Sequence, residues 1–530
     1  LYASLRHGGR GIGDLTNDIV GPRARVLFLI VIFFLLAMAM GVFALLMARL
    51  FTDLSPQAVV PTFSLIAIAV AIGLLVYKLK WRLGPVTVAG FVLMLSTLFV
   101  GMRAPVPLYR LFVTDPQARE LLATEGDSAE PGLEGAASAK VVLAYFDDRA
   151  RADPAFQPAA DNVRAARQRG MDTWTYLLLI YALIASILPV WLLLQPRDYI
   201  NSFQLYLGLA LILLGLLVWH PTITTDAYHR IGPERTGSLP IWPFLFITIA
   251  CGAVSGFHNL VSSGTTARQI SSEGDARIVG YGAMLTEGFL AVLVILACVV
   301  GTREQFGHFY SGWPSANAAL GAFLTGAGNI IASSFTWVTR VSGISQAALE
   351  VFCKSFIAVV VVSFAMTTLD SATRLLRFNV EELGKIVRLR VLQNRYVASL
   401  IAVISIGYFA LMKIGGQPAG LTLWQLFGTT NQLLAALGLL VVSVMLYKWG
   451  KPVVFTAIPL LLMLVSVSWA MTHQLGRFWS KYRESLAPDR TPDTGSLSLF
   501  IVGLCILVLT AWLVIEGIVA FARFRRRRNG

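Results

Sequence analysis

Apolar runs of about twenty residues recur along most of this 530-residue chain, and they restrict its fold more than any other feature. A helix needs about 20 predominantly apolar residues to cross the hydrocarbon layer of a bilayer. Backbone amides and carbonyls find no water there, so helices that satisfy their own hydrogen bonds are the expected elements. The sequence predicts twelve spans, at 26–47, 58–77, 86–101, 173–194, 200–219, 241–258, 278–300, 351–369, 396–413, 424–447, 452–472 and 498–521. Composition agrees: 14% of the residues are charged, against about 25% in a typical soluble protein. The expected fold class is an all-α polytopic membrane protein of about 12 transmembrane helices, with membrane lipid around it.

The net charge of +14 would suit a nucleic-acid partner if the cations clustered on a soluble domain. They lie instead mostly in short loops between spans, where they set topology, and no nucleic-acid partner is expected. Placing the N-terminus inside puts Lys78, Lys80 and Arg82, the six cations from Arg374 to Arg395, and the basic tail Arg523 to Arg528 on the inner side. Both termini are therefore expected in the cytoplasm. Four blocks follow along the chain. Residues 1–101 form an N-terminal membrane part of three spans, and 102–172 an extracytoplasmic loop with short helices and partial disorder. Residues 173–472 form the membrane core, and 473–530 the last span with its tail. Within the outer segment 303–349, ANAALGAFLTGAGNIIASS at 316–334 reads as a re-entrant or interfacial helix. The opening LYASLRHGG reads as mid-sequence, so upstream residues are expected.

Cys251, Cys298, Cys353 and Cys505 all fall in apolar runs without a CxxC pair, which indicates neither a disulfide framework nor zinc. His220, His229, His308 and His473 fall in outer loops without metal-ligand spacing. No Walker-type glycine loop is present, and no nucleophile–base arrangement stands out. The expectation is no metal, no cofactor and no enzymatic activity.

The stretch Ser255 to Thr266, SGFHNLVSSGTT, interrupts apolar sequence with glycine and hydroxyls. Irregular backbone at membrane depth is tolerated only where it is buried in protein or lines a wet cavity. Ser255, His258, Ser262, Ser263, Thr265 and Thr266 are therefore candidate solute contacts. A half-helix beginning in SSGTT would turn free N–H groups and a positive dipole end toward an anion. Glu287 lies roughly 14 Å into the 278–300 span at 1.5 Å per residue, near the midplane. An intramembrane acid is a functional candidate by default, and Glu287 with His258 is expected to handle a coupling ion. Asp370, in TTLDSATR at the inner end of a span, is a further coupling candidate; an interfacial helix pair with Arg374 is the other reading. In LFGTTNQLLAALG, Thr429, Asn431 and Gln432 either line a path or join helices.

ITIACGAVSGFHNLVSSGTT (Ile247 to Thr266), DARIVGYGAMLTEG (Asp275 to Gly288) and LFGTTNQLLA closely resemble the carbon starvation protein A family. ASILPVWLLLQPRDYINSF (Ala185 to Phe203) and TTLDSATR look like further signatures of it, and the matches reach from the N-terminus to about residue 440. The resemblance implies a bacterial inner-membrane carrier that takes up peptides during carbon starvation or imports pyruvate with protons. It implies a fold like that of the amino acid–polyamine–organocation superfamily, with inverted repeats and discontinuous helices. Family members carry further apolar segments ahead of the SLRHGG-like stretch. The expected function is proton- or sodium-coupled uptake of pyruvate or small peptides. The rival is a non-transporting membrane protein, either a channel or a nutrient sensor working through a partner; oligomeric state stays open.

Overall fold

A computed structural model describes residues 1–123, 138–223, 241–249, 254–302, 316–414, 417–487 and 491–529. The regular structure of these residues is helical apart from one two-residue antiparallel pairing, Lys413–Ile414 with Gln417–Pro418. Among them, ten helices are long and apolar enough to cross a membrane: Pro22–Leu54, Pro56–Lys78, Leu83–Phe112, Pro154–Ile187, Leu194–Trp219, Asp275–Gly301, Gln346–Ile386, Thr422–Lys448, Val454–Ser485 and Thr494–Arg526. The protein is an all-α, multi-pass membrane protein.

Two of the twelve expected spans are not among these ten long helices. At 396–413 the helix is Arg395–Ala410, with 16 residues; at about 24 Å it falls short of the hydrocarbon thickness. At 241–258 there are two short helices, Ile241–Ile249 and Gly256–Gly264. Ser255 is extended there (φ −111°, ψ 130°), which rules out a continuous helix through it; residues 250–253 lie outside the described residues. The expected re-entrant or interfacial element at 316–334 is a helix, Ala316–Ser334, followed by a 60° bend into Thr336–Ser342.

The helices form two compact units, each discontinuous in sequence. One comprises Phe43–Ile231 and Val292–Ser371. In it the Leu194–Trp219 helix packs on Val59–Gly73 and on Ala316–Ser334. Small residues permit the close approaches: a Cβ at Gly215 would strike Ile330, and one at Gly301 would overlap the backbone of Gly326. The described parts of 102–172 contain short helices. Tyr109, Val113, Val142, Phe146 and Val163 bury into one small core. Arg167 anchors this piece by a two-pronged pair with Asp53, Nε to Oδ1 and Nη2 to Oδ2 each at 2.7 Å.

The other unit comprises Leu1–Val42, Gly232–Ala291 and Ala372–Gly530. Its centre is the Gly420–Lys448 helix, packed on Val454–Ser485 and on Thr494–Asn529. Gly517 seats against Leu440, and the Tyr447 and Phe521 rings meet at a tilt with centroids 4.2 Å apart. The short Gly256–Gly264 helix lies on the same central helix.

Candidate functional site

The interruption at Ser255 sits where the sequence places it, but the short helix runs the other way. It begins at Gly256 and ends at Gly264, so SSGTT is its C-terminal end and not the start of a half-helix. The anion expectation at SSGTT is thereby corrected: a helix C-terminus presents carbonyl oxygens and the negative dipole end. The true N-terminus is already satisfied. Asn431 Oδ1 accepts from the Phe257 amide at 2.8 Å, and Asn431 Nδ2 donates to Ser255 Oγ at 3.0 Å. Ser255 Oγ also accepts from the His258 amide at 3.5 Å, at the weak limit of such a bond. Gly256 is required at this contact, because a Cβ would overlap the Asn431 carbonyl oxygen and Leu434.

The remaining predicted residues divide by what they touch. Ser262 and Ser263 donate back to the Asn259 carbonyl at 3.1 and 2.8 Å. Ser263 also accepts from the Ile12 amide at 3.1 Å, and its carbonyl accepts from Ser4 Oγ at 2.8 Å. Thr265 follows the last turn of the short helix, and Thr266 opens a 3-10 turn. Ser263 and Gly264 line a cavity of about 380 Å³ with Asp14, Arg25, Arg268 and Glu382. Arg25 bridges the two acids of that cavity, reaching Asp14 at 2.8 Å and Glu382 at 2.7 Å. Thr429 is buried and accepts from Gln474 Nε2 at 2.8 Å. Gln432 is buried too, and its Nε2 has no partner among the described residues.

His258 and Glu287 are brought together, with Nδ1 and Oε2 3.3 Å apart. Both are partly exposed among the described residues, at 50% and 33% of their side-chain surface. Asp370 is fully buried elsewhere, in the unit containing Phe43–Ile231. It pairs with Arg197 and accepts from Tyr181 Oη at 2.6 Å, while Arg197 donates to that same hydroxyl. Three helices thus place one anion, one cation and a phenol in contact. Sequence reading missed Arg197 and Tyr181. In QPRDY the arginine resembles a cation flanking a span, and only its burial reveals a different role.

Among the described residues no group of three or more His, Cys, Asp or Glu side chains is arranged to hold a metal ion. His229, His308 and Cys251 lie outside the described residues.

A model of the family described as carbon starvation protein CstA matches residues 1–123, 157–342 and 315–470. The peptide transporter CstA of Mycobacterium tuberculosis is 30% identical over 500 residues, covering 85% of this chain and 58% of that relative. The peptide transporter CstA of Escherichia coli (strain K12) is 32% identical over 361 residues, covering 59% of this chain and 50% of the relative. The pyruvate/proton symporter BtsT of Escherichia coli (strain K12) is 27% identical over 565 residues, covering 92% and 70%. The chain thus spans between half and three-fifths of the length of the two peptide transporters. No solved structure matches it.

Proposed function

The chain belongs to the carbon starvation protein CstA family, and from that premise we propose that it is a secondary transporter importing pyruvate or small peptides across the bacterial inner membrane, coupled to protons and serving carbon starvation. The observation that carries this reading is a helix break in apolar sequence, held by Asn431 from another helix, with the His258–Glu287 pair beside it. Broken helices in transporters form solute and ion sites, and intramembrane ionisable pairs mark ion paths. Glu287 with His258 carries the coupling proton, and Asp370 is the second candidate. Ser262, Thr265, Thr266 and Gln432 are the candidates for solute contact, while Ser255, Ser263, Thr429 and Asn431 hold the frame. The fold is of the amino acid–polyamine–organocation type, with inverted repeats. The break at Ser255 and the 60° bend at Phe335 support discontinuous helices. Both termini lie in the cytoplasm.

The test is uptake in proteoliposomes of labelled pyruvate and of a labelled dipeptide, under imposed proton or sodium gradients. Saturable accumulation against the solute gradient, driven by protons, is the expected result. Downhill flux alone would make the protein a channel, and no flux of either solute would remove the transport reading.

A further inference from the structure

We infer that Arg197 binds the carboxylate end of the solute, in a buried polar seam between the Leu194–Trp219 and Gln346–Ile386 helices. This rests on the transporter reading above and adds a recognition site to it. Arg197, Asn201 and Gln204 are spaced i, i+4, i+7 and so share one helix face; each is at most 1% exposed. Ser363 and Asp370 share a face of the other helix in the same way, and both are equally buried. Asn201 Nδ2 donates to the Ser363 carbonyl at 3.3 Å, which joins the two faces. Below this seam the contact turns apolar, with Gly208 facing Val360.

Among the described residues only one nitrogen of the Arg197 guanidinium is engaged, Nη1, by Asp370 and Tyr181. Its Nε and Nη2, both amide atoms of Gln204, Asn201 Oδ1 and Ser363 Oγ have no hydrogen-bond partner among the described residues. Buried polar atoms are nearly always paired in folded proteins, and six such atoms in one seam point to a ligand rather than to packing. Nε and Nη2 form one edge of a planar fork, which matches the two oxygens of a carboxylate. Asp370 already pairs with Arg197, so a bound carboxylate adds one negative charge to the seam. The proton that travels with the solute in the proposed symport supplies the compensating charge. Asn201 Oδ1 and the Gln204 amide offer an acceptor and a second donor to the rest of the molecule. Pyruvate and a short peptide's C-terminus share this chemistry.

The experiment uses the full chain in detergent and follows thermal unfolding with pyruvate and with L-alanyl-L-alanine, each against its carboxamide. Both carboxylates are expected to raise the midpoint if the site takes either source, or only one if it is selective; the carboxamides are not. Arg197→Gln alone would strand the Asp370 charge and risk misfolding, so the variant is R197Q/D370N, which removes both charges together. Affinity should fall roughly tenfold to a hundredfold, the usual effect of losing a charged hydrogen bond. Gln204→Leu removes two unpartnered atoms, and it should raise the ligand-free midpoint while weakening binding. That combination is not expected of a structural glutamine. Wild-type affinity in R197Q/D370N, no shift by either carboxylate in the wild type, or a lowered ligand-free midpoint in Gln204→Leu would each overturn the site; the last would assign the seam to ordered water. Wild-type uptake that persists in the double variant sinks the site and leaves the carrier. An Arg197-dependent midpoint shift without any uptake sinks the carrier and leaves the site.

Discussion

Asn431 and Ser255 hold each other across a helix break, 176 positions apart in sequence: the asparagine amide nitrogen donates to the serine hydroxyl at 3.0 Å, and its oxygen accepts the Phe257 amide. The first amides of a helix have no partner within it. Here a side chain from the Gly420–Lys448 helix supplies the acceptor that a preceding turn would otherwise offer. A break in apolar sequence becomes tolerable because the orphaned group is satisfied from outside the segment.

Asn431→Ala is therefore expected to cost about 1–3 kcal/mol, the penalty of a buried donor left without its acceptor. The thermal midpoint of the purified protein should fall. Gln432→Leu, one position on, should cost less, because the Gln432 amide nitrogen has no partner among the described residues. Equal losses at the two positions would show that Asn431 is not the cap.

Gly256→Ala should destabilise by about 1–3 kcal/mol through overpacking, since its new Cβ meets backbone oxygen that cannot move aside. Gly288→Ala provides the contrast. Nothing lies within 4 Å of a Cβ there, and alanine favours the helix over glycine by up to about 1 kcal/mol. Midpoints that move in opposite directions are the expected result; a fall at both positions would contradict the close approach assigned to Gly256.

Asp53, at the end of one long helix, pairs with Arg167 beside the small helical core around Phe146, so either single replacement should loosen residues 138–166 specifically. A double-mutant cycle with Asp53→Asn and Arg167→Gln is expected to give a coupling of about 1.5–3 kcal/mol, as for a hydrogen bond between charged groups. Limited proteolysis should cut this piece earlier in the variants than in the wild type. An uncoupled cycle would make the pair incidental.

Glu287→Gln should abolish proton-driven accumulation while leaving membrane insertion and solute exchange across the bilayer intact. An exchange assay without a proton gradient separates these effects. Normal accumulation in this variant would move the coupling role away from the His258–Glu287 pair and leave Asp370 as the candidate.

Much of the architecture was legible because lipid leaves few options. Ten of the twelve apolar runs are long helices, since each can satisfy its own backbone. The break at Ser255 was legible for the same reason: glycine and hydroxyls do not belong in a lipid-facing span. The direction of the short helix was not. Ser255 caps well and SSGTT also resembles a cap, so sequence marks an interruption without saying which side of it is helical. Asp370 shows the same limit. Arg374 is its nearest cation in sequence on that helix, yet a partner found in the fold is Arg197, a cation that sequence reading leaves at a membrane edge.

By itself, the sequence determined that the chain crosses a membrane repeatedly as helices, where one span is interrupted, and to which family it belongs. Tertiary structure alone decided which polar side chains meet: Asn431 with Ser255, His258 with Glu287, Arg197 with Asp370. The reason is physical. A helix is set by bonds four residues long and by the local hydropathy of about twenty residues, whereas a buried polar group must be satisfied by whatever the fold brings within about 3 Å, often from a segment more than a hundred residues away.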